Sequence, residues 1–401
     1  MVGALQLVDP AICPLEAEQA NPPSGAWSAT GRVPPPRFGV PPVAAPVDLV
    51  FGCTTSGQSM RAQSVLQAFN VPQISPWATS PSLSDKGAYP FFSRVVPTDF
   101  AQTGALAGLL TRVVGVNRVS LIHGAGSYGK FGGAAFVERA NQQGVELCSV
   151  QQLPQSADAI PASVRSVIRA GCRAVVLFMQ KTAFAPVLAE FARHEDWGPQ
   201  SSTVFLMSGS VTSMALSDCD RYFVDNGVTS ASGVTCRQML VGSLATSPSY
   251  GAGRPQYERF RARWRAQASV RGLSPCGGGA TDDDGRPLWL RDNGVPDATE
   301  PTCIADVMSK DFKDYSTKVS GIPLSYDMVL AVAHALHALL EGKQRAPESI
   351  SGASLLGALR AVHFEGVTGD VGFDSKGERT NSARHEFYGI VALRSRAGSC
   401  F

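Results

Sequence analysis

The chain has 401 residues, of which 44% are hydrophobic and 17% charged, and its formal net charge is +2. This composition is typical of a globular protein large enough for two compact lobes. The near-neutral charge argues against nucleic acid or an anionic membrane surface as a partner, and no apolar run is long enough to predict a membrane span.

The first 46 residues are rich in proline, with Pro22-Pro23, Pro34-Pro35-Pro36 and Pro41-Pro42 among many Ala, Gly and Ser. Proline removes backbone donors and fixes φ, so this segment predicts a disordered linker over residues 1–46 and no interior strands. The N-terminus also lacks the basic region and apolar core of a signal peptide.

Two strand–loop units follow the linker. Val47–Gly52 and Val71–Ser75 are short apolar runs that predict buried strands. Each ends in a loop with hydroxyl side chains, Cys53–Gly57 and Pro76–Pro81. Ligands bind at the carboxyl edge of parallel strands, and helix N-termini there favour anions. A helix is expected between the two strands, and one of its faces is expected to carry Val65, Leu66 and Phe69.

Helices and strands alternate regularly in the next part of the chain, which predicts a parallel sheet with right-handed crossovers. The first helix, Asp99–Gly115, is expected to be capped by Asp99. The predicted strands are Arg118–His123, Val145–Val150, Ala174–Met179 and Thr203–Met207, and the predicted helices are Gly132–Gln143, Ala162–Ala170 and Ala183–His194.

The alternation lapses after Gly233. Residues 274–305 are rich in Gly and Asp and predict an inserted loop. A hairpin is expected over Val371–Arg379 and a last strand over Glu386–Leu393. The predicted helices are Tyr257–Val270, Tyr326–Leu340 and Ser354–Val362.

Several stretches carry a resemblance to a known family. The most specific is PQISPWATSPSLSDK followed by YPFFSRVVPTD, and the similarity continues through VSLIHGAGSYG, SYDMVLAVAHALH and FEGVTGDVGFDSKGER. From Val47 to Leu393 the chain resembles the receptor ligand-binding region of class C G-protein-coupled receptors, natriuretic-peptide-type receptors and branched-chain amino-acid binding proteins. The resemblance implies an α/β, two-lobed periplasmic-binding-protein type I fold, with mainly parallel sheets flanked by helices.

That fold crosses between its lobes three times, and we expect the crossings near Val116, Ser243 and Phe364. Lobe one then comprises residues 47–116 and 244–364, and lobe two residues 117–243, with its end and a C-terminal tail in 365–401. Two lobes joined by a hinge imply a cleft that closes on a ligand. The family's first βαβ unit, expected before Val47, is not found in the sequence.

The resemblance also implies a ligand site. Amino-acid-binding members hold the ligand carboxylate through a Ser and a Thr, which correspond to Ser56 and Thr79, with backbone N–H groups of the Trp77-Ala78-Thr79 segment. A Tyr that packs over the ligand corresponds to Tyr128. The alternative is that these hydroxyls only cap helices.

The partners of the ligand ammonium are missing from that pattern. The family's Asp is replaced by Ser210, and its Lys falls near Gly321. Because an uncompensated ammonium in a closed cleft costs several kcal/mol, a standard α-amino acid is less favoured than a small polar or carboxylate-bearing ligand. Asp327 is read as a cap or a structural carboxylate.

Other motifs are incomplete. Gly124–Lys130 resembles a phosphate loop, but Phe131 stands where a metal-binding Ser or Thr is needed. Asp282–Gly285 lacks the Glu of a calcium loop, since the twelfth position is Asn293. The six His are scattered. We therefore expect no enzyme, no cofactor and no metal.

The nine cysteines suit a secreted domain. Cys148 ends one predicted strand and Cys172 precedes another, so these two are expected to pair. Cys276 and Cys303 bracket the inserted loop and are also expected to pair. The alternative is that all nine thiols are free.

Two functions remain open at this point. The first is the ligand-sensing domain of a membrane receptor, on the extracellular side of the plasma membrane and tethered through segments absent from this chain. The family also implies a homodimer through lobe one. The second is a soluble solute-binding protein of a transport system.

Overall fold

The computed structural model describes residues 47–153, 159–199, 201–212, 216–248, 250–251, 253–270, 322–380 and 388–392. The predicted linker over residues 1–46, the inserted loop over 274–305 and the Cys276–Cys303 pair lie outside the described residues. So does the region of Gly321.

A small parallel sheet comes first in the chain. Its strands are β1 (Val50–Phe51), β2 (Gln73–Ser75) and β3 (Phe92–Arg94), in the order β1-β2-β3. The predicted strand Val47–Gly52 is shortened to Val50 and Phe51. All three residues of β2 and of β3 are buried, and they include the polar Gln73 and the charged Arg94.

A large sheet follows, and it is parallel except at one edge. Its parallel strands are β4 (Arg118–His123), β5 (Glu146–Gln152), β6 (Ala174–Phe178), β7 (Val204–Met207) and β8 (Leu244–Pro248). A separate antiparallel pair is formed by β9 (His363–Gly366) and β10 (Gly369–Gly372). The last strand, β11 (Tyr388–Ala392), pairs antiparallel with β8, so the large sheet has the order β11-β8-β7-β6-β4-β5.

Helices flank these sheets. They are α1 (Ser56–Leu66), α2 (Asp99–Leu109), α3 (Ser127–Gln142), α4 (Ile160–Ala170), α5 (Lys181–Ala192), α6 (Gly209–Thr212), α7 (Leu216–Asp225), α8 (Val228–Ser232), α9 (Cys236–Leu240), α10 (Pro255–Val270), α11 (Ile322–His337) and α12 (Gly352–Arg360). A π-helical turn extends α2 to Val114, and another extends α11 to Gly342.

The hydrophobic cores divide between the two sheets. Ile74 of β2 packs with side chains of α10, α11, α12 and the β9–β10 pair, and we call this part the small-sheet lobe. Alternate residues of the large sheet point to opposite faces: Val175 and Leu177 enter one core, and Val176 and Phe178 the other. This second part is the large-sheet lobe.

The first crossing lies at the start of α2 and not near Val116. Leu106 and Leu110 of α2 pack against Val119 and Leu121 of β4, so α2 belongs to the large-sheet lobe. Helical spacing identified these residues as one apolar face, but the spacing contains no information about which sheet that face covers.

The other two crossings also lie later than expected. Since β8 belongs to the large sheet, the chain leaves that lobe after Pro248 and not near Ser243. Glu378 pairs with Arg94 of β3, so the chain still belongs to the small-sheet lobe well beyond Phe364. The lobe boundaries of the sequence analysis are corrected accordingly.

The buried face of α1 differs from the prediction. Leu66 is buried, but Val65 and Phe69 are 61% and 73% exposed. The buried positions of α1 are filled mainly by small and polar residues, including Ala62 and Gln63. A search for apolar spacing therefore selected the wrong face.

Helix α3 begins at Ser127, five residues before the predicted Gly132. Glycines inside it weakened the helical signal, and they serve close packing on the sheet. A Cβ at Gly132 would lie 2.0 Å from the ring of Phe178, and one at Gly133 would lie 2.5 Å from the ring of His123.

The predicted hairpin at Val371–Arg379 forms as a short one: an antiparallel bridge joins Phe373 and Arg379, and the N–H of Asp374 donates to the carbonyl of Glu378. The regular antiparallel pair, β9–β10, lies just before it, and its two strands are joined at Val367 and Thr368. Helix Ile322–Gly342 is long and apolar enough to cross a membrane by length and composition alone. Its buried residues, including Leu324, pack in the small-sheet lobe.

Two disulfides join described residues. Cys148 pairs with Cys172, as predicted, and links β5 to the turn before β6. Cys219 pairs with Cys236 and links α7 to α9, which the sequence analysis did not predict. Cys53 is also disulfide-bonded.

Candidate functional site

The first hydroxyl loop ends at the N-terminus of α1. Thr55 is the cap residue, and with Gln58 it forms a capping box. Ser56 is therefore not needed as a cap. Its buried hydroxyl accepts the N–H of Ser80 at 3.1 Å and so ties the first hydroxyl loop to the second.

The second hydroxyl loop follows β2 and is held by Ser75. The Ser75 hydroxyl donates to the carbonyl of Cys53 at 2.7 Å and accepts the N–H groups of Trp77 and Ala78 at 3.2 and 3.0 Å. These two N–H groups, expected to face a ligand, are bound within the loop. The N–H of Thr79 has no acceptor among the described residues.

Arg94 also holds the same loop through hydrogen bonds. Its fully buried guanidinium donates to the carbonyls of Ala78 and Ser80, both at 2.9 Å, and pairs with Glu378. The loop around Thr79 is thus fixed on both sides of that residue. Charge-assisted bonds of this kind are about twice as strong as neutral ones.

Asp99 adjoins Thr79 at the first crossing. Its N–H donates to the Thr79 carbonyl at 2.9 Å. Burial raises the pKa of the Asp99 carboxyl to about 7, while the hydroxyl of Thr79 and the charge of Arg94 act to lower it. The cap position of α2 is held by Thr98, so the predicted capping role of Asp99 is wrong. The carboxyl is directed to Thr79 instead.

Tyr128 lies in the first turn of α3, in the large-sheet lobe. Its ring is 4.9 Å from that of Phe178, and its hydroxyl is 3.2 Å from the amide of Gln102. Burial raises the pKa of this hydroxyl, the charge of Asp99 raises it further, and the Ser208 side chain and the Ser210 backbone lower it. Tyr128 and Ser210 are therefore close together, with Asp99 near them.

The two lobes approach each other where α1 and α3 begin. A Cβ at Gly57 would lie 3.5 Å from the hydroxyl oxygen of Ser127. Both helix N-termini therefore face the same cleft. Free N–H groups and the positive dipole ends of helices favour an anion there.

The predicted residues thus form two groups. Ser56, Trp77, Ala78 and Thr79 lie together on the small-sheet lobe, while Tyr128 and Ser210 lie on the other. Sequence reasoning missed Asp99 as a member of the site. A signal existed, because Asp99 closely follows β3, the third strand end at the edge that carries the hydroxyl loops.

The other carboxylate considered from the sequence, Asp327, has a structural place. Its oxygens accept the N–H groups of Val367 and Thr368 at 2.7 and 2.8 Å. Within the described ranges, no group of three His, Cys, Asp or Glu residues is arranged to hold a metal ion.

Residues 30–385 match the family described as "Receptor family ligand binding region". The chain is 27% identical to metabotropic glutamate receptor 6 of Oryctolagus cuniculus over 398 residues, covering 90% of this chain and 41% of the relative. It is 28% identical to metabotropic glutamate receptor-like protein E of Dictyostelium discoideum over 365 residues, covering 89% and 36%.

A third relative, metabotropic glutamate receptor 4 of Rattus norvegicus, is 31% identical over 199 residues, covering 43% of this chain and 22% of the relative. The chain spans about two fifths or less of the length of these relatives. The family match nevertheless covers most of the chain, so this chain belongs to the receptor-family ligand-binding regions.

Proposed function

We propose that this chain is the ligand-sensing domain of a membrane receptor of the class C G-protein-coupled type. It binds a small carboxylate-bearing ligand between its lobes, on the extracellular side of the membrane. The observation that carries this proposal is the meeting of Ser56 and Thr79 with Asp99 and Tyr128 at one cleft.

The anionic end of the ligand is assigned to the small-sheet lobe. Thr79 offers an N–H without an acceptor in the described structure, and Ser56 lies next to it at the N-terminus of α1. A carboxylate there receives several donors and the favourable end of the helix dipole. Tyr128 covers the ligand from the other lobe.

Asp99 removes the main objection to an amino-acid ligand. The pattern of the sequence lacked a carboxylate for the ligand ammonium, because Ser210 replaces the family's Asp. Asp99 supplies a carboxylate beside Thr79 and Tyr128. Since the relatives are named as glutamate receptors, L-glutamate is the first ligand to test. The receptor names also favour this function over a soluble solute-binding protein.

The test is calorimetry with L-glutamate on the whole chain and on a Ser56→Ala/Thr79→Ala double variant. We expect binding to weaken by about 1–3 kcal/mol for each buried donor lost. A Thr111→Ala/Ser166→Ala double variant is the control, because both hydroxyls bond only to groups of their own helices. Equal affinity of the first double variant and the unaltered chain would contradict the proposal.

A homodimer through the small-sheet lobe belongs to the same proposal. Val65 and Phe69 expose apolar side chains on the outer side of α1 and the short helix after it. Burying these side chains against a second copy would remove them from water. Sedimentation of the chain and of a Phe69→Asp variant tests this, and we expect the variant to be monomeric. A variant that remains a dimer would place the interface elsewhere.

A further inference from the structure

Gln102 occupies a central place in the large-sheet lobe. It is 2% exposed and lies one turn after Asp99 on α2. The surrounding donors and acceptors assign the orientation of its amide: the oxygen lies 2.6 Å from the N–H nitrogen of Gly209 and 3.1 Å from the hydroxyl of Thr246. Its amide nitrogen is 3.3 Å from Asp99 Oδ1 and 3.2 Å from the hydroxyl of Tyr128. One side chain thus contacts α2, α3, α6 and β8.

The chemistry of these contacts requires an amide. Gln102 accepts from two donors and donates to two acceptors, which uses its full hydrogen-bonding capacity. A leucine fills the same volume and makes none of these bonds. A glutamate places a second carboxylate beside Asp99. The contact with α6 also requires a glycine, since a Cβ at Gly209 would lie 2.8 Å from the Gln102 amide.

These contacts join the parts of the large-sheet lobe that border the cleft. Asp99 is the carboxylate at the crossing, Tyr128 lies in the first turn of α3, and Gly209 directly precedes Ser210. When the groups of a site are already fixed before binding, less of the binding free energy is lost to ordering them. An N–H donated to a carboxylate also favours its ionised form, which is the form that attracts a cation.

We propose that Gln102 is a positioning residue of the ligand site: its amide holds the Asp99 carboxyl in place while it fixes Tyr128 and the start of α6. Gln102 itself does not touch the ligand. The effect on ligand affinity rests on the proposed function. The effect on Asp99 does not, because it is a property of the unliganded chain.

The first experiment needs no ligand. The pKa of Asp99 is measured by carboxyl carbon NMR in the unaltered chain, in Gln102→Leu and in Gln63→Leu. We expect it to rise by about one unit in Gln102→Leu, since a donor to the charged form is lost. Gln63→Leu is the matched control, because Gln63 is equally buried but neither of its amide atoms has a partner in the described structure. An unchanged pKa in Gln102→Leu overturns the proposal.

The second experiment measures L-glutamate binding to the same proteins and to Gln102→Glu. We expect about tenfold or greater weakening for Gln102→Leu and no change for Gln63→Leu. Gln102→Glu should bind weakly at about pH 8 and recover towards about pH 6, where one shared proton restores a donor to Asp99.

The outcomes separate the two claims. If the unaltered chain does not bind L-glutamate, the proposed ligand is wrong, and the NMR titration still decides the role of Gln102. If Gln102→Leu folds, shows unaltered melting and binds as tightly as the unaltered chain, the positioning role is wrong. If Gln102→Leu does not fold, Gln102→Glu provides the same decision through its dependence on pH.

Discussion

Asp99 and Asp327 are both fully buried carboxylates, but their surroundings differ. Asp327 accepts bonds from two backbone N–H groups and the Thr368 hydroxyl, and the positive charge of Arg379 lies near it. Asp99 Oδ2 has no hydrogen-bond partner within the described ranges. Burial raises the pKa of both carboxyls. The comparison teaches that a carboxylate saturated by its own chain is structural, whereas one left unsaturated at a cleft can serve a ligand.

The largest effect is expected from removal of the Asp327 carboxylate, whose hydrogen-bonding partners all belong to the chain itself. Asp327→Ala leaves two N–H groups and one hydroxyl without their acceptor and removes a negative charge near Arg379, so we expect a loss of about 3–5 kcal/mol in the free energy of unfolding. Urea denaturation measures this change. A loss below about 1 kcal/mol would mean that water replaces the carboxylate and that the contrast with Asp99 is not valid.

Asp99 should make stability depend on pH. Its pKa rises from 3.8 to about 7 on folding, so between these values the folded chain binds more protons than the unfolded chain. The free energy of unfolding therefore falls as pH rises through this window. We expect Asp99→Asn to lose this component and to be more stable than the unaltered chain above neutral pH. Thermal melting at a series of pH values checks this expectation, and identical slopes for both proteins would contradict it.

Thr79→Val tests whether the surroundings of Asp99 matter for ligand binding. The substitution keeps the shape of the side chain and removes the hydroxyl that faces Asp99. We expect L-glutamate binding to weaken by about 1–3 kcal/mol and the pKa of Asp99 to rise. Thr111→Val on α2 is the control, since its hydroxyl contacts only carbonyls of that helix. If the affinity changes and the pKa of Asp99 does not, the contribution of Thr79 to binding is independent of Asp99.

The smallest effect is expected at Gln63. Both of its amide atoms are buried without partners in the described part of the chain, on the buried face of α1. Replacing an unpaired polar group by an apolar one of similar volume is neutral or favourable, so Gln63→Leu should stabilise the fold by about 1 kcal/mol. Urea denaturation measures this as well. Destabilisation would show that Gln63 has a bound partner, such as water.

Much of the fold could be predicted from hydrophobic periodicity. The bounds of β4 agree with the prediction, and most helices of the alternating region lie within two residues of it. The crossings could not be predicted, because periodicity identifies a buried face but not the sheet that it covers, as α2 shows. The start of α3 was missed because Gly124–Lys130 was interpreted as a glycine-rich loop, whereas the helix already begins at Ser127.

The candidate site shows the same limit. Ser56 and Thr79 were expected because hydroxyl loops follow two strands and because the family resemblance implies a Ser and a Thr at these positions. Asp99 was interpreted as a helix cap, which is the commoner role of an Asp before a helix. Only the three-dimensional arrangement brings it to Thr79 and Tyr128. The Cys219–Cys236 disulfide was missed because it joins helices beyond the regular alternation.

The support of the Thr79 loop has a consequence for biosynthesis. Arg94 holds the carbonyls on both sides of Thr79 and is itself paired with Glu378, which lies 284 residues further along the chain. A ribosome adds about 5–20 residues per second, so Arg94 remains without this partner for tens of seconds after it leaves the exit tunnel. During that interval Arg94 lacks its buried counter-charge. The support of the loop around Thr79 is therefore completed late in translation.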